Sequence, residues 1–589
     1  MINLASGHGF GISVNRIKII AYFLPVLALF YVYKFGVNVL FFDEFSFVDF
    51  FRDDLDFSKF IFEPHNEHFM PLGKLEYYLI AKLTAMNSKA FMYVNVLVLW
   101  LPYALFIRKI KTESPFIAII SIVVFYLAFY SPLSRENLLW GFQTLFLSAY
   151  SFAVLAILLC DSYIRTRAVK YLFLASVCCC IASLNSSHGI LSWLSVFMAM
   201  LYRRQYKNYL LPLFPMLIIV VFYLAERSGV VFQSRQDLGD LSFVQIAGFL
   251  LTFISSSMWN FCFEISWAIG LLVFCLLAYL IVLKKYYKSY LVTTLFVFGV
   301  LLAAMVTFGR WRFGILYSYQ SRYLQLQMPL YLALTVALSY YRYTADSNKI
   351  RVLLMGRHNN VLFASNGGMF AAVTVALAFM LVFLSVSVSK IKDAEWWHGY
   401  LANNFATIRT FEAQPRSVIE TGIHSNYDDT VGKLRVLKSQ KLNAFSAGRS
   451  NMPDLPFAKV SAAGSDLGSQ VQNAKFYIEQ LSFSLDYGFF FLDIAGWCFD
   501  ENEPSANGKW SLVLQTSDRF YQIPLNSVDR PDVSEAFHHD LVKSGFTFRG
   551  FFSFDDNSEI KFPIKFYLVN ESDKGKKLFD INKTVTGNN

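Results

Sequence analysis

The chain has 589 residues, 55% of them hydrophobic and 18% aromatic, with a mean hydropathy of +0.41 and a formal charge of +10. A soluble domain carries about 45–50% apolar residues, and here the excess gathers in runs of roughly 17–25, the length that crosses a bilayer as a helix. A soluble globular protein is therefore excluded, and so is a nucleic-acid binder, because the basic residues lie in small groups between apolar runs, where they set topology.

In chain order, only Arg16 and Lys18 precede the first apolar run, 17–38, and no small-residue cleavage site follows it, so the run reads as a retained span. Further spans are expected at about 91–107, 115–131, 143–160, 171–187, 190–202, 208–225, 265–283, 291–308, 324–341 and 360–386, which makes eleven. Basic groups recur between them: Arg108, Lys109 and Lys111; Arg165, Arg167 and Lys170; Arg203, Arg204 and Lys207; Lys284, Lys285 and Lys288; Arg342, Lys349, Arg351 and Arg357. With all five groups cytoplasmic, the N-terminus is inside. Loops 39–90, 132–142, 226–242 and 309–323, and everything after 387, then face outward. A full crossing by 243–262 would break this rhythm, and FISSSMWN, from Phe253 to Asn260, is polar for lipid contact, so that stretch is expected to be re-entrant or interfacial.

Chemistry-bearing residues collect in the outward loops. Asp43 and Glu44 open the first one in FFDEFSFVDFF, an aromatic and acidic pattern suited to the interface. FEPHNEH follows, with His65, Glu67 and His68; the two histidines share a face if the segment is helical. PLGKLEYY, from Pro71, then starts an amphipathic helix. Clustered ionisable groups beside a membrane are costly and point to a working site. Carboxylate and imidazole also ligate divalent cations, so Asp43, His65 and His68 are the candidates for a magnesium or manganese ion, although the spacing matches no strong metal motif. The second loop packs Arg135, Glu136, Asn137, Trp140 and Gln143 into nine residues. NSSHG, from Asn185 to Gly189, is a tight turn in which His188 reads as a turn residue. The last loop, FGRWRFG followed by YSYQSRY, places Arg310, Arg312 and Arg322 outward, against the positive-inside trend. Arginine forks suit phosphate, so these three are the candidate grip for a lipid phosphate.

Acid on one loop facing arginine on another suits transfer from an anionic lipid-linked donor. A carboxylate would act as general base on an acceptor hydroxyl. An arginine would stabilise the departing phosphate, and one-base direct displacement inverts the anomeric carbon. Walker-type, Rossmann and zincin signatures are absent from the sequence. The chain resembles multi-spanning glycosyltransferases of the C-type (GT-C) fold that use polyprenyl-phosphate-linked sugars. The resemblance rests on Asp43 and Glu44 after the first span, the HNEH run, RENLLWGFQ from Arg135 to Gln143, and SRY from Ser321 to Tyr323. It covers about 15–390 and is nearest to bacterial enzymes that modify O-antigen lipopolysaccharide or cell-wall polysaccharide at the inner membrane. It implies Asp43, then Glu44, as base; Arg310, Arg312 or Arg322 on the donor phosphate; and an acceptor glycan or glycolipid on the periplasmic side. It implies no particular cofactor. The alternatives are a lipid-linked glycan flippase, which would place polar groups near mid-membrane, or another lipid-linked group transferase.

Polarity rises after about Ser389. DAEWWH, from Asp393 to His398, opens a helical region, and a mixed connecting region, 391–460, separates the membrane domain 1–390 from a periplasmic domain, 461–589. In that last domain IEQLSFSL and WSLVLQ alternate in part, FFFLDIAGW is a dense apolar run typical of a core strand, and FTFRGF and IKFPIKFYLV complete the pattern of an expected immunoglobulin-like sandwich, with Pro563 at an edge or bulge. Trp497 reads as core and His538 and His539 as a solvated turn; Cys498 has no partner cysteine there. Gly496–Trp497 and RPDV resemble motifs of sandwich modules in bacterial polysaccharide-processing proteins, which implies glycan contact.

Overall fold

The computed structural model describes residues 13–337 apart from 67, 111–114, 204–209, 230–242, 257–265 and 283–288, and then 385, 388 and, with short omissions, 390–446, 457–460 and 469–585. The chain divides into two compact units. One comprises 1–398 with 440–443, and the other comprises 399–439 with 444–589. The segment expected to connect two domains is thus shared between them.

The first unit is helical. Pro25 stands in the first turn of a helix, where its missing N–H costs nothing, and divides the opening run into Val14–Ala21 and Pro25–Phe35. Among the described residues, five helical stretches are long and apolar enough to cross a bilayer: Val14–Phe35, Ser88–Lys109, Ala118–Leu139, Gly141–Thr166 and Tyr290–Phe313. Eleven spans is therefore a correction to make. The runs at 171–187, 190–202 and 265–283 become helices of 17, 11 and 17 residues, Val169–Asn185, Trp193–Arg203 and Ser266–Val282. At 1.5 Å per residue, 17 residues reach about 26 Å, at the lower edge of what crosses a hydrocarbon core of about 30 Å, and 11 residues fall well short. Polar NSSHG divides the first two and turns as a 3-10 segment, Ser187–Ser192. The run at 208–225 is helical over Leu210–Gly229, and its apolar part is short, Pro212–Val221. Residues 243–254 form a 12-residue helix, too short to cross alone. Residues 324–337 are helical; 338–341 and the run 360–386 lie outside the described residues. What stands is a multi-pass, largely helical architecture.

Its centre is the helix Thr144–Thr166. Of the five long apolar helices it is the most enclosed, with 83% of its apolar window buried. It pairs with Val169–Asn185 through a tight reversal at Arg167, whose φ is +62°. Lys109 and Arg165 both contact the Asp161 carboxylate, at 2.5 and 2.8 Å, at the charged end of this helix.

Among the described residues the second unit has ten strands: β1 (Phe457–Val460), β2 (Ser469–Gln470), β3 (Ala474–Asp486), β4 (Phe489–Asp500), β5 (Lys509–Gln515), β6 (Phe520–Pro524), β7 (Asn526–Val528), β8 (Gly545–Phe554), β9 (Ile564–Ser572) and β10 (Gly575–Val585). One sheet runs β1-β8-β4-β3, with β7 also on β8; the other runs β2-β10-β9-β5-β6. Leu492, Ile494 and Phe548 from the first sheet share a core with Trp510, Leu512, Phe566 and Leu568 from the second, which makes this unit a β-sandwich. All five strands read from the sequence are present; β10, which begins in charged GKK, was not anticipated. Pro563 lies outside the described residues. Trp497 sits outside the inter-sheet core, in a small cluster with Phe499, Val533, Phe537 and Leu541. His538 and His539 are exposed.

Candidate functional site

The first loop folds onto the membrane unit rather than lying along an interface. Phe42–Phe51 is a 3-10 helix whose Phe45, Phe47, Val48 and Phe50 are buried. The two carboxylates at its start have different surroundings. Asp43 is half-buried, whereas Glu44 is fully enclosed. Glu44 accepts from the Phe41 N–H at 2.9 Å and from the Tyr77 hydroxyl at 3.3 Å. Gly141 packs so closely on it that a Cβ there would lie 2.4 Å from its Oε1. Burial pushes the Glu44 carboxyl up to about 8; the hydrogen bonds from Phe41, Tyr77 and Ser88 oppose this and the charge of Asp43 adds to it. Glu44 therefore caps the loop, and the half-buried Asp43 is the carboxylate left on its surface.

His65 and His68 do not share a helical face, which corrects the spacing argument. The helix Phe57–Phe62 stops at Glu63, the residue before Pro64, where helical backbone is disfavoured. His65 and His68 then exchange backbone hydrogen bonds, both 2.9 Å, across a turn in which Asn66 adopts φ +51°. The His65 ring stacks on Phe47 at 5.6 Å and leans on Phe142; the His68 ring meets Phe146 edge-on at 5.2 Å. Glu67 lies outside the described residues. The expected amphipathic helix does begin at Pro71 and runs to Leu83. Two of its residues were missed. Lys74 donates to the carbonyls of Phe60 and Glu63 at 2.6 and 2.7 Å, closing the end of the preceding helix, and burial draws its pKa down to about 8 against the pull of Glu63. Glu76 is pushed up to about 7 by burial and accepts from Ser148 at 2.8 Å. Among the described residues no three His, Cys, Asp or Glu side chains converge as a metal site. The rings of His65 and His68 face aromatic neighbours rather than a shared centre with Asp43.

The second and last outward loops meet. RENLLWGFQ begins as a short helix, Arg135–Leu139, and SRY is a 3-10 turn, Ser321–Tyr323. The Glu136 N–H donates to Ser321 Oγ at 3.2 Å, and Asn137 donates to the carbonyls of Ser321 and Arg322. The Glu136 carboxylate accepts from the Arg322 N–H at 3.2 Å and lies 3.5 Å from its guanidinium, which also donates to Tyr317 at 2.8 Å. Arg310 donates to Tyr323 at 3.2 Å. Arg312 is exposed, beside the Trp311 ring.

Beside this seam lies a cavity of about 280 Å³, whose lining includes Arg135, Glu136, Tyr319, Ser321, Lys390 and Asp393. The last two come from the polar segment after 387. Lys390 pairs with the Asp393 carboxylate. The Arg135 guanidinium donates to the Asp393 carbonyl at 3.4 Å and lies over the Trp397 ring at 4.7 Å. Trp397 in turn meets Phe41 edge-on at 4.8 Å, and the Trp140 indole donates to the Phe41 carbonyl at 3.0 Å. Trp140 and Gln143 are buried, so Trp140 fastens two loops and is not an interfacial belt residue.

The structure thus gathers Arg135, Glu136 and Arg322, sets Arg310 beside Arg322 through Tyr323, and leaves Arg312 on the surface. Sequence reading missed Lys390, Asp393 and Trp397; the abrupt polarity of KIKDAEWWH just after an apolar run was the available signal. Comparison with protein-family models, with curated proteins and with solved structures finds no match to this chain.

Proposed function

We propose that the chain is an inverting glycosyltransferase of GT-C type. It moves a sugar from a polyprenyl-phosphate donor to a cell-surface glycan or lipid-linked acceptor at the outer face of a bacterial inner membrane. Asp43 is the base that takes the acceptor hydroxyl proton. Arginine side chains of the outward loops neutralise the departing phosphate. The C-terminal sandwich is periplasmic.

One observation carries this reading. Two residues before Asp43, the Phe41 ring packs on Trp397; Trp397 underlies Arg135; and the next residue, Glu136, holds Arg322. A run of contacts therefore joins the acidic first loop to the arginine-bearing last loop, as transfer from an anionic donor requires. The test is transfer from a polyprenyl-phosphate hexose by the full chain in detergent. Asp43→Asn is expected to lower turnover by on the order of 10²–10⁴-fold, the usual contribution of a general base, with donor binding kept. Full turnover in that variant removes Asp43 from the role, and no transfer by the wild-type chain from any such donor defeats the proposal.

A further inference from the structure

The cavity beside Arg135 has an unequal charge balance. Three cations stand in or next to it, Arg135, Lys390 and Arg322, against two carboxylates, Glu136 and Asp393. Arg322 is held by Glu136 and Lys390 by Asp393. Arg135 contacts a main-chain carbonyl and an indole face, and its Nε is buried with no hydrogen-bond acceptor among the described residues. A part-buried guanidinium facing a cavity without a carboxylate of its own is costly, and an anionic ligand offsets that cost.

We propose that Arg135 and Lys390, rather than Arg322, are the primary cations of a phosphate-binding site in this cavity, and that Asp393 competes with the ligand for both of them. The Asp393 side chain holds Lys390 while its carbonyl holds Arg135. An entering phosphate takes the ammonium from Asp393 and the guanidinium from the carbonyl. The segment carrying Lys390, Asp393 and Trp397 is thereby part of the site and sets how tightly it takes an anion. The apolar part of the lining favours a phosphate that carries a hydrocarbon chain. Leu316 lines the cavity and is 62% exposed, and the neighbouring Ile315 and Phe313 are exposed as well. The inference deepens the transferase reading, since this phosphate would be the donor's.

The experiment measures binding of dodecyl phosphate to the full chain in a neutral detergent, with inorganic phosphate and dodecyl maltoside as the other arms. Arg135→Ala is expected to weaken dodecyl phosphate by about 10–100-fold, as for loss of a hydrogen-bonded charge, with Arg135→Lys intermediate and Lys390→Ala smaller. Asp393→Asn is expected to tighten it about two- to fivefold, the range for an exposed ion pair. A gain in affinity cannot come from a misfolded variant, so this arm stands even where Arg135→Ala unfolds. Unchanged or weaker binding in Asp393→Asn, or unchanged binding in Arg135→Ala, overturns the proposal. Inorganic phosphate binding as tightly as the alkyl ester keeps the anion site but assigns it to free phosphate. Binding that follows these variants without any sugar transfer upholds the site and removes the transferase reading. Sugar transfer indifferent to Arg135→Ala and Asp393→Asn does the reverse.

Discussion

The two polar regions of the membrane unit differ in how completely their charges are met. In the first loop, Glu44 is enclosed and hydrogen-bonded, Lys74 closes a helix end, and His65 and His68 lie among phenylalanine rings. These groups hold a fold together. Around Arg135 the charges border open space, and one of the cations faces it without a carboxylate. Local density of ionisable residues, which makes FEPHNEH conspicuous in the sequence, therefore goes with packing at His65 and His68, whereas incomplete compensation beside a cavity is what the proposed anion site rests on.

The sharpest way to break this contrast uses two adjacent residues. Asp43→Asn should cost turnover by on the order of 10²–10⁴-fold with the melting temperature unchanged. Glu44→Gln keeps the shape of a group that is largely protonated at neutral pH and should retain turnover. Steady-state rates and thermal melts of both variants decide it. A Glu44→Gln variant as inactive as Asp43→Asn would mean that the enclosed carboxyl takes part in chemistry.

Next in size is a pure stability effect. Asn443 is fully buried and donates through Nδ2 to Asn38 Oδ1 at 3.0 Å and to the Met86 carbonyl at 2.8 Å, while its own N–H donates to the Ala85 carbonyl at 2.8 Å. Asn443→Ala leaves buried acceptors unmet and should cost about 1–3 kcal/mol, read as a lower melting temperature in detergent. Dodecyl phosphate affinity in the folded fraction should hold. A variant that melts normally but loses the ligand would move Asn443 from the packed region into the binding one.

A further effect on stability follows from pH. The folded Glu44 carboxyl is raised from 4.5 to about 8, so the folded state holds a proton that the unfolded chain has released. The associated stability is present below pH 4.5 and is lost as pH rises through 8. Wild-type melting temperature should therefore fall across that window, and Glu44→Gln, which cannot ionise, should flatten the fall. Identical slopes in the two proteins would show that Glu44 does not titrate as its burial requires.

Much of this was legible in the chain. Among the described residues the apolar runs fall on helices, and partial period-two alternation or a dense apolar run marks the strands read from the sequence, because these signals are local. Contacts made at long range were not. Asn38 and Asn443 are 405 residues apart, and Arg135 and Asp393 are 258 apart; nothing in either neighbourhood states that they meet. The difference between Asp43 and Glu44 was hidden for a related reason, since enclosure of one depends on Gly141, almost a hundred residues on. The span count failed where a separate apolar run forms a helix too short to cross, as 190–202 does in the 11-residue helix Trp193–Arg203.

The smallest expected effect tests the arginines themselves. Arg310, Arg312 and Arg322 look equivalent in sequence, three guanidinium groups on one outward loop. In the fold Arg322 is bound to Glu136, Arg310 leans on Tyr323, and Arg312 is exposed beside Trp311 and is not among the residues that line the cavity. An exposed charge acts on a ligand only through screened water, where attraction fades beyond about 8 Å at physiological salt. Arg312→Ala should accordingly change dodecyl phosphate affinity by less than about twofold at that salt, against the tenfold or greater loss expected of Arg135→Ala. Titration of the two variants side by side reads the ratio directly. A loss at Arg312 equal to that at Arg135 would place the anion on the loop surface rather than in the cavity, and the distinction between a compensated region and a receptive one would no longer describe this protein.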